Sequence, residues 1–185
     1  LIVDNASTYR HVVRLKGGDP FIFGRGSEEI EHAESFGIPT FVVPGISSSI
    51  AVPAYQGISL TKRGVSESFW VITGTTSARK LSDDVQLAAK STATVVILMG
   101  MSKLAQIVAL FQEESKGETP IAIIQNGTTP EERIGVGTID TIEAVVAAHN
   151  LSNPAIIVIG EVVKESNKLK GFYEEFIVAS GRDLT

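Results

Sequence analysis

Short β-branched runs alternate with longer segments of helical periodicity along this chain, and that alternation restricts its fold more than any other feature. Residues 12–15 read as a strand running into Gly17-Gly18-Asp19-Pro20. Residues 27–36 read as a helix with Ser27 as N-cap and Glu28 and Glu29 in its first turn, where the helix dipole favours acids. Gly37 stops it; residues 40–43 form a strand ending at Pro44-Gly45, and 47–55 a helix broken near Pro53. Further strands are expected at 69–73, 93–99, 120–124, 134–138 and 155–159, with a weak helix at 81–90. Leu104, Ile107, Val108 and Phe111 follow the spacing of a helix with one buried face, and Ile142, Val145, Val146 and His149 repeat it. Asp140 and Glu143 resemble a capping box ahead of that last helix.

Strands alternating with helices predict an α/β fold with a largely parallel sheet. The strand at 134–138 alternates as an edge strand does, which makes the second sheet mixed. A polar link near 61–65 divides the chain into α/β subdomains at 1–62 and 63–164, followed by a polar tail at 165–185. Phe172, Tyr173 and Phe176 are the expected docking points of that tail. The first residues carry no initiator Met and begin in mid-element, as a chain lacking its N-terminal part does.

Composition removes several kinds of chemistry. There are no cysteines, which excludes disulfides, thiolate zinc sites, iron–sulfur clusters and a cysteine nucleophile. A net charge of −5 argues against a nucleic-acid-coating role. The longest apolar runs, 95–99 and 155–159, fall far short of the ~20 residues that span a bilayer, so no membrane partner is expected. His11, His32 and His149 lack metal-ligand spacing, and no metal is expected. Charge is nonetheless uneven. Residues 1–26 carry Arg10, Arg14, Lys16 and Arg25 against Asp4 and Asp19, a local excess of two positive charges. A basic segment on an acidic protein can focus an anionic small molecule, or it can be chance in a short window.

Several loops admit two readings. Gly17-Gly18-Asp19-Pro20 follows an expected strand, where open α/β sheets bind ligands, yet it also fits an ordinary strand-to-helix turn. The dinucleotide fingerprint is absent, since Gly24 and Gly26 have no third glycine at position 29, which is Glu, and there is no Walker A pattern. Pro44-Gly45-Ile46-Ser47-Ser48-Ser49 offers hydroxyls and free N–H groups at a helix start, and equally plain N-capping. Arg25, between two glycines, can grip a carboxylate bidentately. Met99 reads in isolation as a core residue, and Asn126-Gly127-Thr128-Thr129 as a turn.

Residues 12–26, VVRLKGGDPFIFGRG, resemble the signature of the tetrapyrrole methylase family, specifically its members acting on uroporphyrinogen III. The likeness continues in order through FVVPGISS (41–48), GISLTKRG (57–64), TVVILMGM (94–101), PIAIIQNGT (120–128) and NPAIIVIGEVV (153–163). The resemblance implies two α/β subdomains with S-adenosylmethionine in a cleft between them, a homodimer, and a cytoplasmic enzyme of sirohaem and cobalamin synthesis. The activity implied is two C-methylations of uroporphyrinogen III to precorrin-2, without a metal, leaving S-adenosylhomocysteine. A sibling precorrin methyltransferase, or a catalytically incomplete binding or dimerisation module, are the alternatives.

By motif match, Gly17, Gly18, Asp19 and Ile22 line the cofactor, Ser47 and Ser48 contact it from the second loop, and Met99, Gly127 and Ala155 from the second subdomain. Arg25 faces the tetrapyrrole, whose eight carboxylates give a basic segment its purpose. The family's proton-transfer residues and a further cofactor loop are expected upstream of residue 1, so the sequence nominates no catalytic acid or base. Lys62 stands where the family usually has histidine, and Glu132 where it usually has glutamine.

Overall fold

The computed structural model describes residues 1–171; the expected docking residues Phe172, Tyr173 and Phe176 lie outside them. Within these residues the chain runs α1 (Ile2–Ala6), α2 (Gly26–Glu34), α3 (Ser48–Tyr55), β1 (Phe69–Thr73), α4 (Asp84–Lys90), β2 (Thr94–Leu98), α5 (Leu104–Glu113), β3 (Pro120–Gln125), β4 (Arg133–Thr138), α6 (Ile142–His149) and β5 (Ala155–Ile159). Two compact units result, residues 1–48 and residues 49–185. The polar link near 61–65 is a turn closed by a Lys62–Ser66 bridge inside the second unit.

The second unit is built on a five-stranded mixed sheet of order β1-β2-β5-β3-β4. Only β1 and β2 pair in parallel; β5 runs antiparallel between β2 and β3, and β4 pairs antiparallel with β3 at the edge. The expectation of a largely parallel sheet is therefore corrected, while the expected mixed character and the edge position of 134–138 stand. The cause is the order of pairing. β5 inserts between β2 and β3, so only the βαβ unit β1-α4-β2 keeps a parallel crossover.

Strand periodicity sorts the side chains into two cores. Ile97, Ile121, Ile123, Ile157 and Ile159 face one side, where Val85 of α4, Ile107 and Phe111 of α5 and Ile142 of α6 cover them. Val96, Ala122, Ile124 and Val158 face the other, beneath Val52, Ile58, Val162 and Leu169. The central strands are buried on both faces, which explains their continuous β-branched composition. Each fully buried aliphatic side chain contributes ~1.5–3 kcal/mol of transfer free energy. α5 buries the four residues its spacing marked, and α6 buries Ile142 and Val145 but leaves His149 exposed.

Local starts and stops depart from expectation in ways the bonds explain. α2 begins one residue early, with Arg25 rather than Ser27 at its N-cap, because the Gly26 N–H closes a turn on the Pro20 carbonyl. Gly37, at φ +71°, ends that helical segment as expected. Pro53 does not break α3; the helix runs on to Tyr55, within one turn of it. Asp140 forms no capping box with Glu143. It accepts from Gln112, and Thr141 is the N-cap of α6.

The first unit differs most. Residues 12–15 and 40–43 are not strands, and Val13, Leu15, Phe41 and Val43 are 84–95% exposed. β-branched composition favours a strand only where a partner strand completes the ladder, and among the described residues neither segment has one.

Candidate functional site

Two loops of the first unit are tied together by one carboxylate. Asp19 Oδ1 accepts the Phe21 N–H at 2.8 Å, and Oδ2 accepts the Gly45 N–H at 3.1 Å. These backbone donors, Phe21 first and then Gly45, hold the Asp19 carboxyl below its ordinary value against an opposing desolvation effect. The loops approach so closely that a Cβ on Gly45 would lie 2.4 Å from the Gly18 carbonyl oxygen. Gly18 itself sits at φ +88°, against the Ile46 carbonyl and the Ser47 Cα. Gly17 has open space where a side chain would be, Ile22 is 45% exposed, Ser47 is buried, and Ser48 is exposed at the start of α3. The six residues nominated in this unit thus lie on two adjoining loops.

Arg25 follows, in the left-handed region at φ +58°. Its guanidinium is held by Glu28: Nε lies 3.1 and 3.0 Å from the two carboxylate oxygens and Nη2 donates to the second. The pairing raises the basicity of Arg25 and lowers that of Glu28. Arg14 and Lys16 both reach Glu29, at 3.4 and 3.0 Å. Three of the four basic residues of that segment, Arg14, Lys16 and Arg25, thus line a cavity of about 750 Å³ in the first unit, together with the acids Glu28 and Glu29.

In the second unit, the sheet register brings Met99, Gly127 and Ala155 to one rim. Ile156 of β5 pairs with Leu98 of β2, and Ala155 pairs with Gln125 of β3. Met99 and Asn126-Gly127 therefore leave their strands on either side of the start of β5. Ligands in open α/β sheets bind outside such strand ends. Met99 is not a core residue: it is 49% exposed and sits at φ +56°. Asn126 and Thr128 flank Gly127 at φ +49° and +70°. Gly127 packs against α3, where a Cβ would lie 2.5 Å from Val52 Cγ1.

Two supporting residues carry no motif. Glu132 accepts the Thr128 N–H at 2.7 Å and the Gln56 amide at 2.5 Å. Thr75 donates its hydroxyl to the Met99 carbonyl at 2.9 Å. The signal for Thr75 was a hydroxyl just past a strand end, which becomes meaningful only once β1 is known to pair with β2.

Among the described residues no cluster of histidine, cysteine or acidic side chains can hold a metal. No helix among them is long and apolar enough to cross a membrane. His32 packs edge-on to Phe36 at 5.2 Å. The donor set that remains suits an organic ligand: open glycine backbone, hydroxyls and an exposed thioether.

Residues 1–143 match the family model described as Tetrapyrrole (Corrin/Porphyrin) Methylases. The chain is 45% identical over 165 residues to the uroporphyrinogen-III C-methyltransferase of Methanocaldococcus jannaschii, covering 88% of this chain and 68% of that protein. It is 47% identical over 173 residues to the enzyme of the same name from a Synechocystis strain, covering 92% and 66%. It is 40% identical to a siroheme synthase of Nitrosomonas europaea, covering 93% of this chain and 36% of that one. The chain therefore spans about two thirds of the methyltransferases and about a third of the synthase. Among solved structures it is similar to uroporphyrin-III C-methyl transferase from Thermus thermophilus complexed with S-adenosylhomocysteine, at a TM-score of 0.76 and 30% identity over 88% of this chain and 71% of that one.

Proposed function

The chain belongs to the tetrapyrrole (corrin/porphyrin) methylase family, and from that premise we propose that it methylates uroporphyrinogen III twice, with S-adenosylmethionine as donor, to give precorrin-2. The likeness to two uroporphyrinogen-III C-methyltransferases over about nine tenths of the chain carries this reading. The alternatives of a sibling precorrin methylase or a mere binding module have no comparable support.

On this reading Gly17, Gly18, Asp19, Ile22, Ser47 and Ser48 contact the cofactor from the first unit, and Met99, Gly127 and Ala155 from the second. The residues present fit such a ligand. Gly17 offers open backbone, Asp19 pins the two loops without blocking them, and Met99 presents a polarizable side chain at a strand end. When bound, S-adenosylmethionine supplies an electrophilic methyl group to an electron-rich pyrrole carbon. The protein orients the two reactants and keeps water out, and orientation alone can supply ~7–11 kcal/mol of a barrier. Arg25, with Arg14 and Lys16 behind it, holds substrate carboxylates; Glu28 is the internal carboxylate that they displace from Arg25.

The functional division follows the 61–65 link, with residues 1–62 and 63–164 as the two halves and 165–185 as a tail. The working form is a homodimer in the cytoplasm, which size-exclusion chromatography and cell fractionation test. The direct experiment is incubation with S-adenosylmethionine and uroporphyrinogen III under reducing, anaerobic conditions. A tetrapyrrole heavier by two methyl groups supports the proposal; unchanged substrate, or methylation only of a different precorrin, overturns it.

A further inference from the structure

Met99 occupies a backbone conformation that residues with a side chain rarely adopt, φ +56°, and it does so directly at the end of β2. Such a conformation persists only where the surroundings enforce it. The neighbouring strand β1 supplies the enforcement. The Gly74 N–H donates to the Leu98 carbonyl at 2.7 Å, carrying the β1–β2 ladder one residue past the end of β1, onto the last residue of β2. Gly74 and Gly100 lie back to back, with no room for a Cβ on Gly74, which would fall 2.4 Å from Gly100 Cα. Between these two contacts the Thr75 hydroxyl donates to the Met99 carbonyl at 2.9 Å. Thr75 is itself held: the Thr73 hydroxyl donates to its carbonyl at 2.8 Å and accepts its N–H at 3.3 Å.

We infer that Thr75 is a positioning residue for the cofactor, its hydroxyl holding Met99 in the left-handed turn at the sheet rim. The inference deepens the methyltransferase reading and rests on Met99 touching the cofactor. Thr75 need not touch the ligand. Its work is to satisfy the one carbonyl whose direction defines the turn, and the Thr73 hydroxyl aims it. Valine has the shape of threonine without the donor, whereas serine keeps the donor, so the two substitutions separate shape from hydrogen bonding.

The test is calorimetric titration of S-adenosylhomocysteine into the unsubstituted protein, Thr75→Val, Thr75→Ser, Met99→Gly and the Thr75→Val/Met99→Gly double variant, with uroporphyrinogen kinetics alongside. Thr75→Val is expected to weaken binding about fivefold, the worth of one net hydrogen bond, with the KM for uroporphyrinogen III unchanged. Thr75→Ser restores affinity. In the Met99→Gly background, where glycine adopts the turn unaided, Thr75→Val costs nothing further. Unchanged affinity in Thr75→Val, or an equal loss in the glycine background, overturns the inference and leaves the methyltransferase reading standing. Failure of the unsubstituted protein to bind S-adenosylhomocysteine overturns both.

Discussion

The Asp19 carboxylate accepts the backbone N–H of Gly45, 26 residues further along the chain, at 3.1 Å. A second oxygen of the same group accepts from Phe21. One side chain therefore sets the spacing between two loops that both carry nominated cofactor residues. Because its bonds are to the charged form, the folded carboxyl titrates below its ordinary value of 3.8. A depressed folded pKa means that the tie is fully present above that ordinary value and is lost as pH falls through the lower, folded one. S-adenosylhomocysteine affinity is expected to stay flat with respect to this group from neutrality down to about pH 4 and to fall below it. Asp19→Ala is expected to weaken binding by roughly an order of magnitude at neutral pH and to remove that acid limb. Titration calorimetry across pH checks both.

Gly127 is packed too tightly against Val52 to accept a side chain. Gly127→Ala is expected to cost ~1–3 kcal/mol of stability through overpacking and to weaken cofactor binding. Val52→Ala alone also destabilises, since Val52 is buried. The double variant is expected to lose less than the sum of the two, because each change relieves the other. Urea unfolding of the four proteins measures the coupling.

Glu132 is a two-oxygen acceptor for two donors, the Thr128 N–H and the Gln56 amide. Glu132→Leu leaves both unpaired, with Gln56 buried, and is expected to cost ~1–3 kcal/mol. Glu132→Gln is expected to be mild, because one amide oxygen still serves Thr128 while the Gln56 amide turns over to accept from the other end. This explains physically how glutamine and glutamate can both occupy the position. Urea unfolding distinguishes the two variants.

Arg25, proposed to hold substrate carboxylates, carries its charge on an unfavourable backbone. Arg25→Ala and Arg25→Gly are both expected to lower kcat/KM for uroporphyrinogen III while leaving S-adenosylhomocysteine affinity intact. Arg25→Gly is expected to be the more stable of the two, since glycine accepts φ +58° without strain. Equal losses of substrate use and cofactor binding would make Arg25 a structural residue instead.

The second unit was largely legible because its signals are local or doubled. The 3.6-residue spacing of Leu104, Ile107, Val108 and Phe111 and the continuous aliphatic strands each report burial directly. The pairing order was not legible: nothing in residues 155–159 says that they insert antiparallel between two earlier strands. The first unit misled for a related reason. Val13, Leu15, Phe41 and Val43 have strand composition, but a strand is a property of a pair. At the site, motif glycines were readable, whereas Thr75 and Glu132 act through partners 24 and 76 residues away and acquire meaning only in the fold.

On the proposed reading, S-adenosylmethionine is contacted by residues of the loops at 17–22 and 47–48 and by Met99, Gly127 and Ala155 at the sheet rim. Isothermal titration of the protein with S-adenosylhomocysteine, the stable product, tests it most directly. Saturable binding at micromolar concentration, lost in Gly18→Trp, is the result expected. No saturable heat, or binding indifferent to Gly18→Trp, would contradict it.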